Sequence, residues 1–231
     1  MQLTHPARQA VAEFVGSAGL VTIVIGSGIA AQQLSPDDVG LQLLQNALIT
    51  GAGLTALILA FGPVSGGHFN PLVTLVDWYF GGTSHQQVAI YLPAQLAGGA
   101  VGAMVANVMY SLPAINVATN ERGSASLWLS EALATFGLIV VIFALVRTHR
   151  LGLVPFAVGA YITAAYWWSS STSFANPMVT ISRTLSDTFA GIAPASVPMF
   201  VVFQVIGAAV AVPTIALLYP TVKGAPHDTP A

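Results

Sequence analysis

Two copies of one short motif decide the fold: Asn70-Pro71-Leu72-Val73-Thr74 in the first half of the chain and Asn176-Pro177-Met178-Val179-Thr180 in the second. The copies begin 106 positions apart, and the segments around them are long and apolar. Asn is a favoured N-cap, and Pro suits the first helical position because its missing N–H would have no partner there. Each copy therefore predicts a helix that begins inside a hydrophobic half of the chain.

The composition indicates a membrane protein. Of the 231 residues, 55% are hydrophobic and 6% are charged, and the mean hydropathy is +0.77, whereas soluble domains carry about 25% charged residues. The net charge of -2 and the lack of a basic cluster argue against nucleic-acid binding. The absence of cysteine excludes disulfides and thiolate metal sites. No enzyme motif or metal cluster is found, so we expect no enzyme activity, no metal and no cofactor.

Six stretches are long enough to span a bilayer, which takes about 20 mainly apolar residues. They cover residues 11–31, 41–60, 88–110, 127–146, 153–169 and 197–219. Two further segments, Pro71 to Phe80 and Pro177 to Ser186, follow the Asn-Pro pairs. Each would be about 15 Å long as a helix, which is half of a hydrocarbon core about 30 Å thick. The sequence therefore predicts an all-α membrane protein with six transmembrane helices and two re-entrant half-helices.

The chain is predicted to contain an internal repeat, about 8–110 and 125–220. Glu13 and Glu131 each open a span, and Gln95 and Gln204 occupy matching places in the third and sixth spans. Because three spans per half is an odd number, the second half must insert upside down, which gives an inverted repeat. The half-helices then meet at the midplane, where irregular backbone is tolerated only if it is buried or lines water. We therefore predict a single channel domain over residues 1–231.

The paired motifs also predict how such a pore would select its solutes. Each half-helix directs the positive end of its dipole, about half a charge, at the pore centre, which disfavours cations and hydronium. The amide groups of Asn70 and Asn176 can donate hydrogen bonds to a passing water or alcohol oxygen and interrupt a proton wire. A lone Asn-Pro would be taken as a simple helix cap, whereas the matched copies favour a pore.

Polar residues inside the apolar segments are further candidates. Glu13 and Glu131 lie within spans, where a carboxylate is costly and usually functional. Structural support of the re-entrant loops is favoured over a proton relay, because no basic residue alternates with them. His68 is predicted to brace a loop, since no second histidine lies at metal-ligand spacing.

The loop charges predict the orientation of the chain. Four basic residues would lie on the side of the N-terminus: Arg8, Arg147, Arg150 and Lys223. Arg122 and Arg183 would lie on the other side. Since cytoplasmic loops carry the excess of Lys and Arg, both termini are predicted to be cytoplasmic.

The stretch Ser65-Gly66-Gly67-His68-Phe69-Asn70-Pro71 resembles the first pore loop of the aquaporin and aquaglyceroporin family (major intrinsic proteins), Ser-Gly-Gly-His-x-Asn-Pro-Ala. The resemblance extends over both halves. It implies an aquaporin-like right-handed bundle in the cell membrane (for a bacterial protein, the inner membrane) that assembles as a homotetramer with one pore per subunit. It also implies that Glu13 and Glu131 accept hydrogen bonds from the backbone of the re-entrant loops. Leu72 and Met178 replace the Ala of the family's Asn-Pro-Ala motif, so we expect them to alter the pore lining near the midplane.

The resemblance also implies a selectivity filter. Counted by spacing from the two Asn residues, its members would be Thr50, Ala164, Ser173 and Val179. All four are small and uncharged, and many family members have an Arg where this chain has Val179. The implied constriction is therefore wider and less cationic than that of a strict water pore. Arg183 lies four residues after Val179, so it either reaches the pore one turn further out or pairs with Asp187 at the surface.

The implied function is passive passage of small neutral solutes (glycerol-like polyols, arsenite and water) with exclusion of protons and ions. The stretch 176–192 resembles a bacterial aquaporin subgroup linked with arsenic-resistance operons and thought to pass arsenite as neutral As(OH)3. Three alternatives stay open. They are a strict water channel, a closed scaffold protein plugged by Leu72 and Met178, and a coupled transporter, since inverted repeats with broken helices also build transporters.

Overall fold

The computed structural model describes residues 5–220, and within them the chain is almost entirely helical. The α-helices are α1 His5–Leu34, α2 Val39–Ser65, α3 Pro71–Tyr79, α4 His85–Met109, α5 Ala125–Arg147, α6 Val154–Trp168, α7 Pro177–Ser182 and α8 Val197–Leu218. Short 3-10 turns cover Leu151–Leu153, Arg183–Leu185 and Pro194–Ser196. Lys223, used above to predict the orientation, lies outside the described residues.

The six predicted spans are confirmed. Six helices of the described part are long and apolar enough to cross a membrane: α1, α2, α4, α5, α6 with the turn before it, and α8 with the turn before it. Their ends differ from the predicted ones by no more than six residues. The short helices α3 and α7 begin at Pro71 and Pro177 as predicted, but α7 ends at Ser182 and continues only as a 3-10 turn.

The two halves of the chain pack in the same manner. In the first half α1 packs against α2 and α4, and in the second half α5 packs against α6 and α8. Contacts between α2 and α6 join the halves, and α3 and α7 pack against α4 and α8 in the interior. Large apolar side chains such as Leu48, Leu129 and Val210 lie exposed on the outer face of the bundle. This face has the composition that a lipid environment requires.

Close contact between α1 and α4 depends on two glycines. A Cβ atom on Gly98 would overlap the carbonyl oxygen of Phe14, and one on Gly102 would overlap the carbonyl oxygen of Ala18. The Gly-x-x-x-Gly spacing thus permits helix contact within the chain, as small residues do between membrane helices.

We expect Gly98→Val to destabilise the protein by at least about 2 kcal/mol, because the obstructing atoms are backbone and α4 would have to move away from α1. Thermal unfolding of the purified protein in detergent measures the effect. The matched control is Ala97→Val on the exposed side of the same helix. Equal melting temperatures for the two variants would contradict the assignment of this contact.

Candidate functional site: a cavity between two half-helices

Each half-helix is capped by its own Asn. Asn70 adopts an extended conformation, and its Oδ1 accepts the backbone N–H of Leu72 at 3.0 Å. Asn176 does the same for Met178 at 3.0 Å. The caps satisfy backbone donors that the first helical turn leaves unpaired, so the Asn-Pro pairs begin helices for the predicted reason.

The same two Asn residues also tie the halves together. The Nδ2 group of Asn70 donates to the carbonyl oxygen of Ala175 at 2.9 Å, and that of Asn176 donates to the carbonyl oxygen of Phe69 at 2.8 Å. These reciprocal bonds place the N-terminal ends of α3 and α7 beside each other. Each amide nitrogen carries a second hydrogen, which remains available on the side that lines the cavity described below.

Glu13 holds the first pore loop from behind. Its carboxylate is fully buried and accepts four hydrogen bonds. The donors are the hydroxyl of Ser65 (2.6 Å), the backbone N–H groups of His68 (3.0 Å) and Phe69 (2.8 Å), and the amide of Gln95 (2.8 Å).

Glu131 holds the second pore loop in a matching way. Its donors are the hydroxyl of Ser171 (2.6 Å), the backbone N–H groups of Phe174 (2.9 Å) and Ala175 (2.9 Å), and the amide of Gln204 (2.6 Å). These are the backbone contacts that the family resemblance implied. A carboxylate that accepts four donors serves to position the loop, whereas proton relay would require breaking those bonds.

A cavity of about 590 Å³ runs between the helices and past both Asn caps. Its polar lining residues are Thr50, His68, Asn70, Asp77, Tyr166, Ser173, Asn176 and Arg183. The rest of the lining is mainly aliphatic and comes from α1, α2, α5 and α6. On α2 the lining extends from Thr50 to Pro63, which is about 20 Å along a helix. We call the two ends of this cavity the Arg183 end and the Asp77 end.

Arg183 is buried at its end of the cavity. Its Nε donates to the carbonyl oxygen of Ala190, and its guanidinium carbon lies 3.5 Å from the ring centroid of Phe174. Asp187 does not pair with it, but accepts the backbone N–H and the hydroxyl of Thr119 at 2.9 and 3.0 Å. Of the two alternatives that the sequence left open, the geometry therefore selects the cavity.

A second guanidinium lies near the same ring. Arg122 places its guanidinium carbon 5.2 Å from the ring centroid of Phe174, and its Nε donates to the carbonyl oxygen of Gly191 at 3.1 Å. Burial lowers the pKa of Arg122, and the nearby charge of Glu131 opposes that shift. Two guanidinium groups therefore lie near the Phe174 ring at the Arg183 end of the cavity.

Comparisons with known proteins agree with this geometry. Residues 1–173 match the family model described as major intrinsic protein. The chain belongs to this family. The aquaglyceroporin AqpS of Rhizobium meliloti (strain 1021) is 45% identical to it over 208 residues, covering 90% of this chain and 88% of that protein.

Solved structures of low sequence identity share the fold of this major intrinsic protein. The aquaglyceroporin from Plasmodium falciparum matches with a TM-score of 0.61 at 22% identity, over 92% of this chain and 99% of that one. An FNT family ion channel matches with a TM-score of 0.52 at 17% identity, over 93% and 95% of the two chains. The predicted aquaporin-like helical bundle is confirmed. The protein is a multi-pass membrane channel and not an enzyme.

One residue of this major intrinsic protein was assigned wrongly to the predicted filter. Ala164 is exposed on the outer face of α6 and does not line the cavity, whereas Tyr166 is buried and lines it. Counting back from Asn176 assumed a family-like loop length, and an error of two residues rotates a position by about 200° around a helix. Tyr166 brings a large ring and a hydroxyl, 3.3 Å from the hydroxyl of Thr50.

The predicted pore positions of Leu72 and Met178 are also wrong. Both side chains are buried, at 5% and 0% exposure, and neither lines the cavity. Met178 packs against Gly99 of α4, and Ser182 donates to its sulfur at 3.8 Å. The second residue after each cap Asn faces away from the cavity. The cap itself and the third residue after it occupy the cavity side of the half-helix. The scaffold alternative, which required these two residues to plug the pore, therefore loses its basis.

The remaining predicted residues lie at the cavity or beside it. Thr50, Ser173 and Val179 line its Arg183 end, and the hydroxyl oxygen of Ser173 is buried without a hydrogen-bond partner. His68 lines the Asp77 end. Within residues 5–220, no group of three or more His, Asp or Glu is placed to hold a metal ion.

Sequence reasoning did not identify Tyr166, Phe174 or Asp77 as lining residues. Asp77 could have been found from one signal, because it lies as far after Asn70 as Arg183 lies after Asn176. The cavity lining at this end is therefore not made of small, uncharged residues alone. Thr50, Ser173 and Val179 line it together with Tyr166 and Arg183.

Proposed function

We propose that this channel passes water, glycerol-like polyols and arsenite as neutral As(OH)3, and excludes ions and protons. The observation that carries the proposal is the cavity itself, which has an aliphatic lining and a row of hydrogen-bonding groups. Its volume of about 590 Å³ falls within the range of small-molecule sites. A polyol can place its carbons against the aliphatic side and its hydroxyls against Thr50, Tyr166, Asn70 and Asn176.

Exclusion of protons and cations follows from the two caps. The half-helices α3 and α7 direct their positive dipole ends at the point where Asn70 and Asn176 meet, which raises the energy of a cation there. Each Asn offers one free amide N–H to a solute oxygen. A water molecule at this point therefore accepts hydrogen bonds from these groups and cannot pass a proton to the next water molecule in the pore. Arg183 adds a full positive charge at one end.

The decisive experiment measures solute flux into proteoliposomes by stopped-flow light scattering, with protein-free liposomes as the control. We expect permeation by glycerol, urea and arsenite that rises linearly with the gradient, without proton current. Water flux with no solute flux would identify a strict water channel. Saturable, gradient-driven uptake would identify a coupled transporter.

Replacement of Tyr166 with alanine tests the corrected filter. We expect the ratio of xylitol to glycerol flux to rise about tenfold, because the ring that narrows the Arg183 end is removed. Ala164→Ser on the outer face of the same helix is the matched control and should leave the ratio unchanged. A change in the control variant with none at Tyr166 would restore the filter predicted from spacing.

We also propose the assembly and orientation of the channel. Both termini lie in the cytoplasm of a bacterial cell, with the protein in the inner membrane, because Arg8, Arg147 and Arg150 fall on that side. Four copies form a homotetramer of single-domain channels, each with one pore between repeats 8–110 and 125–220. Light scattering of the detergent-solubilised protein tests the subunit number, and accessibility of a terminal tag in intact cells tests the orientation.

A further inference from the structure

The two half-helices carry opposite charges at matching positions. Asp77 is the seventh residue after the cap Asn70, and Arg183 is the seventh after the cap Asn176. Positions 0, 3 and 7 of a helix share one face, and both charged side chains line the cavity with their caps. The first half of the chain therefore has a carboxylate at the position where the second half has a guanidinium.

The two charges lie at opposite ends of the cavity. Arg183 packs on Phe174, beside the filter. Asp77 lies near His68, with 3.9 Å between its Oδ2 and the ring Nε2. The His68 ring in turn lies against Gly66, which follows the C-terminal end of α2. About 20 Å of α2 separates these two ends.

Positive electrostatic features also face the cavity. The N-termini of α3 and α7 each contribute about half a positive charge, and Arg183 contributes a full one. Glu13 and Glu131 are turned into the pore loops and do not line the cavity. Among the described lining residues, Asp77 is the single acidic side chain. Without Asp77, the positive charge of Arg183 would repel cations from the cavity but attract small anions.

The carboxylate of Asp77 lies near a hydroxyl group and an imidazole ring. Thr83 donates to its Oδ2. The Nδ1 atom of His68 lies 3.1 Å from the hydroxyl of Thr74, which itself donates to the carbonyl of Asn70 at 3.2 Å. We therefore assign a proton to Nδ1, which donates to the hydroxyl of Thr74.

We propose that Asp77 is a specificity-determining residue that forms a barrier to anions, complementary to the barrier that Arg183 and the helix dipoles raise against cations. An anion drawn in by the positive centre meets a fixed negative charge at the Asp77 end. A neutral solute meets neither barrier. Weak acids then cross in their uncharged form only. This inference rests on the proposed passage of neutral solutes through the same cavity.

The test compares chloride and potassium flux into proteoliposomes containing the wild type, Asp77→Asn or Asp77→Glu, at pH 8. Asparagine keeps the shape of the side chain and an acceptor for Thr83, but removes the charge. We expect chloride influx per channel to rise at least tenfold in Asp77→Asn, about 1.4 kcal/mol in barrier height, with no rise in potassium influx. Asp77→Glu should retain chloride exclusion.

A cysteine variant separates charge from folding, because the chain has no native cysteine. Asp77→Cys is labelled in the folded channel, either with an anionic sulfonatoethyl or with a cationic aminoethyl thiosulfonate reagent. The anionic label should restore chloride exclusion and the cationic label should not. Equal chloride flux after both labels, or chloride and potassium leaking together in Asp77→Asn, would overturn the proposal. Failure of the wild type to pass glycerol would instead refute the proposed function, since the chloride comparison does not depend on glycerol.

Discussion

Glu131→Ala is expected to leave little folded protein. The substitution removes the acceptor of four buried hydrogen-bond donors in the second pore loop, on Ser171, Phe174, Ala175 and Gln204. A buried donor left without a partner costs about 1–3 kcal/mol, so the four together approach the whole net stability of a typical protein, about 5–15 kcal/mol. The yield of monodisperse protein from gel filtration and its melting temperature in detergent measure the effect.

Two further variants make the interpretation specific. Glu131→Gln should also be strongly destabilised, because its NH2 group would face donors instead of accepting from them. Glu121→Ala removes an exposed loop carboxylate and should change stability by no more than about 0.5 kcal/mol. A Glu131→Ala protein with the melting temperature of the wild type would show that the loop does not depend on this carboxylate.

Val179→Arg is expected to reduce glycerol and arsenite flux at least tenfold while reducing water flux less. Val179 is buried at the Arg183 end and lines the cavity one turn before Arg183. A second guanidinium there would occupy the space that a polyol needs, since even one extra methylene group in a fitted pocket changes discrimination by about 1–3 kcal/mol. Stopped-flow light scattering with each solute provides the measurement.

The control for this prediction is Val179→Ala, which removes volume at the same position. Its glycerol flux should not fall below that of the wild type. If Val179→Arg passes glycerol at the rate of the wild type, the solute path does not run past Val179, and the assignment of the cavity as the pore would have to be abandoned.

The sequence was sufficient for those parts of the site that depend on local chemistry. An Asn followed by Pro is a strong signal for a helix start, so the beginnings of α3 and α7 could be predicted from the residues. The hydrogen bonds of Glu13 and Glu131 to the loops were implied by the family resemblance. The spans followed from their length and hydrophobicity. None of these inferences required knowledge of how the helices rotate.

Orientation around a helix axis was the part that sequence could not supply. Ala164 and Tyr166 differ by two positions on one helix, and only the length of the loop to Asn176 decides which of them faces the cavity. Leu72 and Met178 were assigned to the pore because they adjoin the caps in sequence. The second residue after each cap nevertheless points to α4 and the core. The packing of each half-helix decides this direction.

The exchanged hydrogen bonds between the pore loops have a consequence for biosynthesis. Asn70 is satisfied by a carbonyl of the second half, and Asn176 by a carbonyl of the first. A ribosome that has made only the first half has therefore made a loop whose partner does not yet exist, and the centre of the channel is completed late in synthesis. By the same logic, either half made alone would lack the carbonyl oxygen to which its own Asn side chain donates.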